Sequence, residues 1–193
     1  MKPIERDEIL DAERYEAARD EIRRRIMVLK DRRRAALGDY CTAQFENRET
    51  LRYQIHEMLR AEKGFGKPDA VQDELAAYNP LVPATGELSA TVMFEYETPE
   101  LRAEWLTKLV GIENHLWLVI GTETPIPARF DRMQIADGKI SSVQFVKWRV
   151  DERRRELLKD PGTVVKLLLD HPAYQAVSVL SEQTRREIMS DAD

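Results

Sequence analysis

From Leu88 to Glu97 two sets of residues interleave without a break. Leu88, Ala90, Val92, Phe94 and Tyr96 alternate with Ser89, Thr91, Met93, Glu95 and Glu97. Successive side chains of an extended chain point to opposite faces, so this pattern predicts a strand with one face buried. Such a strand needs paired neighbours and an apolar layer beneath it. The remainder of the second half supplies both. An uninterrupted apolar run at 116–120 reads as a centrally buried strand, 125–130 as an edge strand, and 143–150, 164–169 and 174–180 as further strands. Asp137-Gly138 is a hairpin signal, and Asp170-His171-Pro172-Ala173 forms a tight turn between the last two strands. Helices punctuate them. Thr98 caps one with Pro99 in its first turn, its packed face drawn from Leu101, Trp105, Leu109 and Val110. A polar helix covers 151–158, and Ser181 caps the last, with Thr184 or Arg185 in its first turn.

The first half has a different period. Tyr15, Ala18, Ile22, Ile26 and Leu29 recur every three to four residues, which predicts a long helix of about 25 residues within the first 38. Asp7 or Asp11 would cap its start and Gly38 would end it in a left-handed conformation. A short strand follows at 40–45. Asn47 then caps a helix ending near Glu62, with Glu49 adding negative charge in its first turn. Lys63-Gly64-Phe65-Gly66-Lys67-Pro68 breaks that helix, and a further short one runs from 69 to 77 before the two prolines of 78–83. The expected fold is α+β: a mostly antiparallel sheet of about seven strands with the N-terminal helices packed on one face. Residues 1–193 read as a single domain, mainly helical over 1–83 and mainly β over 84–193.

Composition narrows the class. A chain of 193 residues, 42% hydrophobic and 34% charged, can bury a sizeable core. Its longest apolar run falls far below the roughly 20 residues that cross a bilayer, and its start has no signal-peptide core, so a cytoplasmic protein without a membrane span is expected. The single cysteine, Cys41, excludes an internal disulfide framework and any all-cysteine metal site within the chain. An inert buried thiol is its default reading. The net charge of −5 makes nucleic acid an unlikely partner. Between Arg19 and Arg34 eight bases face only three acids. That run reads as the paired, solvated face of an amphipathic helix, and otherwise as a docking surface for an acidic partner or nucleic acid.

The helix ending near Glu62 carries the main chemical question. Leu51, Ile55, Met58 and Leu59 form one stripe, and at about 100° per residue Glu62 falls near its centre with Gln54 on its flank. A carboxylate there needs a partner, or else reaches solvent at a frayed helix end. Glu46, Glu62, His115 and His171 are the candidate metal ligands, since divalent iron, manganese or zinc favours oxygen and imidazole donors of these kinds. His56 and Glu57 lie about 120° and about 140° from Glu62 around the helix, so the three cannot share one metal from that element alone. His171, on its turn, is also a candidate acid or base, although the turn alone accounts for a structural role. No nucleophile elbow, phosphate-binding glycine loop or dinucleotide fingerprint is present.

Several segments together resemble an uncharacterised bacterial family of unknown function: Arg32-Arg33-Arg34-Ala35-Ala36-Leu37-Gly38, Phe45-Glu46-Asn47-Arg48, Glu57-Met58-Leu59-Arg60-Ala61-Glu62, Glu74-Leu75-Ala76-Ala77-Tyr78-Asn79-Pro80-Leu81, Gly86-Glu87-Leu88-Ser89-Ala90-Thr91 and Asp170-His171-Pro172-Ala173-Tyr174. Members of that family are often encoded beside rubrerythrin-like and iron–sulfur oxidoreductase-like proteins. The resemblance implies an accessory or binding protein of a redox or oxidative-stress system, with such a protein as partner. It adds Arg48, Glu57, Asn79 and Glu87 as candidate binding residues beside Glu46, Glu62 and His171. The rival expectation is an enzyme in which a buried Glu62 and His171 act on a small polar substrate held between helix and sheet.

Overall fold

The alternating segment is strand β3 (Glu87–Phe94), and its position explains its pattern. It pairs antiparallel with β2 (Cys41–Glu46) on one side and β9 (Val143–Arg149) on the other. With β1 (Arg34–Ala36) and β6 (Arg129–Phe130) these make a five-stranded sheet in the order β1-β2-β3-β9-β6. A four-stranded sheet, β11-β10-β4-β5, is built from β4 (Leu116–Ile120), β5 (Ile126–Pro127), β10 (Val165–His171) and β11 (Tyr174–Val179). The two sheets contribute to one core. Leu88, Val92, Phe45 and Trp148 of the first are buried in the same cluster as Leu118, Leu167 and Leu169 of the second. The computed structural model describes residues 1–131, 135–136 and 138–192, those at 135–136 as backbone only.

Six helices complete the fold: α1 (Ala12–Arg32), α2 (Arg48–Ala61), α3 (Pro68–Tyr78), α4 (Pro99–Lys108), α5 (Glu152–Lys159) and α6 (Glu182–Ala192). Their starts follow from local chemistry. Asp11, Asn47, Thr98, Asp151 and Ser181 each accept a backbone N–H of the first turn, and Asn47 forms a reciprocal capping box with Thr50. Strands β1 and β2, from the mainly helical part, complete the sheet of the mainly β part. A second apolar cluster, with Ile4, Leu51, Ile55, Leu59 and Leu75 at its centre, joins α2, α3 and the N-terminal segment. No helix among the described residues is long and apolar enough to cross a membrane.

Four expectations are corrected. The first helix stops at Arg32, and 34–36 is a strand: Arg33, Ala35 and Leu37 are buried with a period of two where a helical run was expected. Gly38 turns the β1–β2 hairpin at φ +74°, and a Cβ there would lie 2.7 Å from the Tyr174 hydroxyl. The single edge strand expected at 125–130 is two short strands, β5 on the four-stranded sheet and β6 on the five-stranded one. Pro127 has no N–H to extend a ladder, and the chain changes sheets at the buried Ala128. Leu101 and Val110 of the α4 region are exposed, its packing residues being Trp105, Leu106 and Leu109. The strand count exceeds seven because edges are short and one hairpin, β7 (Ile135–Ala136) with β8 (Lys139–Ile140), stands apart from both sheets. Asp137, half of the expected hairpin signal, lies outside the described residues.

Candidate functional site

The five-stranded sheet buries one face against the four-stranded sheet and turns the other toward α1 and α2. On that second face the register sets Gln44, Thr91 and Phe145 in one row and Thr42, Met93 and Val143 in the next. Glu46, Ser89 and Lys147 form the row beyond. Helices bridge this face without filling it. A cavity of about 420 Å³ remains, floored by Gln44, Glu46, Thr91, Met93 and Phe145 and roofed by Met27, Lys30, Leu51, Gln54 and Tyr78. Asp31 and Arg34, both exposed, stand at its mouth, whereas Gln44, Glu46 and Leu51 are buried at its depth.

Glu46 is the unusual group here. It is 6% exposed, and its carboxylate accepts a hydrogen bond from the Thr50 hydroxyl and one of 2.8 Å from the Thr91 hydroxyl. No ion pair among the described residues reaches it. Lys147, two strands away in the same row, is turned instead to Glu87 at 3.1 Å and the Val82 carbonyl at 3.0 Å. Two hydroxyls solvate the carboxylate but leave its charge uncompensated, and burying an ionised carboxylate without a counter-charge costs free energy.

The other candidates are held by partners. Glu57 accepts the Tyr15 hydroxyl at 2.6 Å and a two-pronged contact from Arg19 at 2.8 Å on each oxygen. The Arg19 hydrogen bonds outweigh burial and hold its carboxyl down at about 2. Arg48 pairs with Glu8 and donates to the Lys2 and Pro3 carbonyls, and the Asn79 amide clasps the backbone of Ile4 at 2.7 and 3.0 Å. Both tie down the N-terminal segment. Glu87 binds Arg129 and Lys147. Burial pushes its carboxyl up, but these bonds prevail and keep it below its ordinary value.

His115 and His171 do meet, ring to ring at 5.0 Å and perpendicular. His171 is buried; its Nδ1 accepts from the Ala173 N–H, so Nε2 donates to the Val110 carbonyl at 3.2 Å. Both ring nitrogens are spent, Nδ1 within the turn and Nε2 on Val110 past the end of α4. His115 Nδ1 and Trp117 Nε1 share one oxygen of Asp170, which lowers that carboxyl through the Trp117 hydrogen bond first. Glu62 is the C-cap residue of α2 and is exposed, so its place on the helical stripe buries nothing. It shares no described cavity with His171, and the pairing expected of an enzyme is not assembled. Among the described residues no group of three or more His, Cys, Asp or Glu side chains has the arrangement to hold a metal ion.

Most of the basic run is engaged. Arg19, Arg25, Arg32 and Arg34 face Glu57, Glu49, Glu187 and Glu95. Arg33 is fully buried against Asp191 and donates to the Phe45, Glu46 and Glu187 carbonyls. Burial pushes the Cys41 thiol up to about 12, which leaves it unreactive. Sequence reasoning missed Gln44, Thr91 and Tyr78 as cavity residues. Gln44 and Thr91 are polar positions of alternating strands and could have been suspected had the covered face been known. It also missed the structural part of His56, which stacks on Tyr15 at 4.6 Å. His56 accepts the Leu10 N–H at Nε2 and therefore donates from Nδ1 to the Arg52 carbonyl.

A family model described as a protein of unknown function, DUF3501, matches residues 3–192. A crystal structure of a protein of unknown function from Burkholderia pseudomallei K96243 has the same fold, with a TM-score of 0.92 and 34% identity over all of both chains. No curated protein matches the chain.

Proposed function

We propose that this chain, which belongs to the DUF3501 family, binds a small polar molecule in the cavity between the helical layer and the five-stranded sheet, with Glu46 as the anchoring group. The observation that carries the reading is the buried Glu46 carboxylate, bonded to two hydroxyls and to no base among the described residues. Proteins retain such costly groups where a ligand completes them. The cavity's size supports the same reading, falling within the range of roughly 300 to 1,000 Å³ usual for small-molecule sites. In this reading the protein serves a redox system as a cytoplasmic accessory, a part that rests on the sequence resemblance.

Met27 and Met93 both line the cavity and report on it directly. With 13C-methyl-labelled methionine, the small-molecule fraction of a cell extract should shift these two signals and leave Met189, which packs on the main core, in place. Thr91→Trp, which fills the floor, should abolish the shifts. Shifts at Met189 alone, or shifts that survive Thr91→Trp, would overturn the reading.

A further inference from the structure

The charge at the depth of the cavity selects a ligand. At the deep end Glu46 presents a carboxylate whose two recorded hydrogen bonds come from Thr50 and Thr91, one to each oxygen. An ionised carboxylate offers about four lone-pair sites, so acceptor capacity remains. The neighbouring Gln44 amide nitrogen is occupied by the carbonyls of Lys30 and Phe45, at 3.1 and 3.4 Å, and so does not serve Glu46. Arg33 passes close, but its contact is with the Glu46 main-chain carbonyl, and its own charge is met by Asp191. Leu51, Met93, Val143 and Phe145 give the cavity apolar walls. The mouth differs again. Arg34 and Asp31 stand there, and with Lys30 of the roof they leave the outer part net positive, so the rim itself does not attract a cation and the selection falls to the buried Glu46.

We infer that the ligand of this cavity is a small organic ammonium compound with an apolar body, its ammonium group held by the Glu46 carboxylate. The inference rests on the binding role proposed above and names the chemistry of its ligand. An ammonium brings the missing positive charge and donors for the unused lone pairs, and a charge-assisted bond in a sheltered site is about twice as strong as a neutral one. An anion would meet the Glu46 charge at short range, and a neutral molecule would leave it uncompensated. A short apolar body would lie against the walls of Leu51, Met93, Val143 and Phe145.

The test uses three probes of one shape, n-pentylamine, 1-pentanol and pentanoate, titrated at constant ionic strength while the Met27 and Met93 methyl signals are followed. The amine should shift both saturably, with affinity roughly tenfold or more above that of the alcohol, and pentanoate should not bind. Glu46→Gln should reduce amine affinity by about the same factor and leave the alcohol unchanged. Equal or tighter binding of the alcohol or pentanoate at Met27 and Met93 would overturn the ammonium assignment while sparing the cavity as a binding site. Failure of all three probes, together with failure of the extract to shift these methyls, would overturn both. Amine binding that survives Glu46→Gln would also overturn the assignment. Thr50→Val, which leaves the charge in place and removes one hydroxyl, should keep the preference for amine over alcohol; its loss would contradict the assigned role of charge.

Discussion

Two sheltered carboxylates sit at opposite ends of the same helix system and are treated in opposite ways. Glu57, on α2 facing α1, is met by an arginine, a tyrosine and no cavity. Glu46, one residue before the α2 cap, is more deeply buried and is met by two threonines and an open volume. The first arrangement spends its charge on holding two helices together. The second bonds only hydroxyls, from α2 and β3, and in the proposed reading its charge is kept for a ligand. Glu87 belongs with Glu57, satisfied by bases in the protein itself, and Asp191 is paired with Arg33, although there burial outweighs the arginine and raises the carboxyl to about 6. The comparison teaches that at least partial burial is common to all four carboxylates, and that what sets Glu46 apart is burial without a base paired to it among the described residues.

The strongest way to break the comparison is at its most deeply buried ion pair, Arg33 with Asp191. Asp191→Asn leaves the fully buried Arg33 without its closest anion and should cost about 3 kcal/mol in urea unfolding. A loss under about 1 kcal/mol would mean that Glu187, 3.7 Å from Arg33, can replace Asp191. Glu57→Gln should cost about 1 to 2 kcal/mol, less because both partners are roughly a quarter exposed. The pH dependence follows from the same group. Its carboxyl lies at about 2 in the fold against an ordinary 4.5, so the unfolded chain binds more protons between these values. Glu57 therefore contributes stability that is fully present above about pH 5 and is lost as the pH falls toward 2. In Glu57→Gln the acid limb of the stability curve should flatten over that window.

A smaller effect comes from His56, whose titration is lowered by burial first, with the Arg52 carbonyl opposing. Its neutral form accepts the Leu10 N–H, so stability is present above the ordinary value of 6.5 and declines as the pH drops below it. In His56→Phe that decline below pH 6.5 should diminish, as read by thermal unfolding at each pH. An unchanged slope would assign the decline to other groups. Smallest of all, Cys41 should react with a thiol reagent only as fast as the protein unfolds, since burial keeps its thiol near 12.

How far the sequence foretold this arrangement depends on whether a signal was local. The Asn47, Thr98 and Ser181 caps involve neighbours within three residues, and each helix starts where its cap was expected. The face of β3 was legible because a strand's period survives whatever covers it. Arg33 to Leu37 was misread because a run of arginine, alanine and leucine suits a helix, and only the distant Asp191 reveals why Arg33 turns inward. Glu62 was given a place in the apolar stripe by a helical phase that ends at Ala61, and beyond the last turn that phase carries no meaning. Glu46 was recognised as a candidate, but its role was not. Its hydroxyl partners lie 4 and 45 residues away, and the missing counter-charge is a property of three strands and two helices together.

Urea unfolding of Glu46→Gln beside Glu57→Gln tests the central claim most directly. The amide keeps the shape of the side chain and removes the charge. If Glu46 is held for a ligand, its variant should be as stable as the parent or more stable, while Glu57→Gln loses about 1 to 2 kcal/mol. If Glu46→Gln loses as much as Glu57→Gln, the carboxylate is part of the fold and the distinction between the two groups fails.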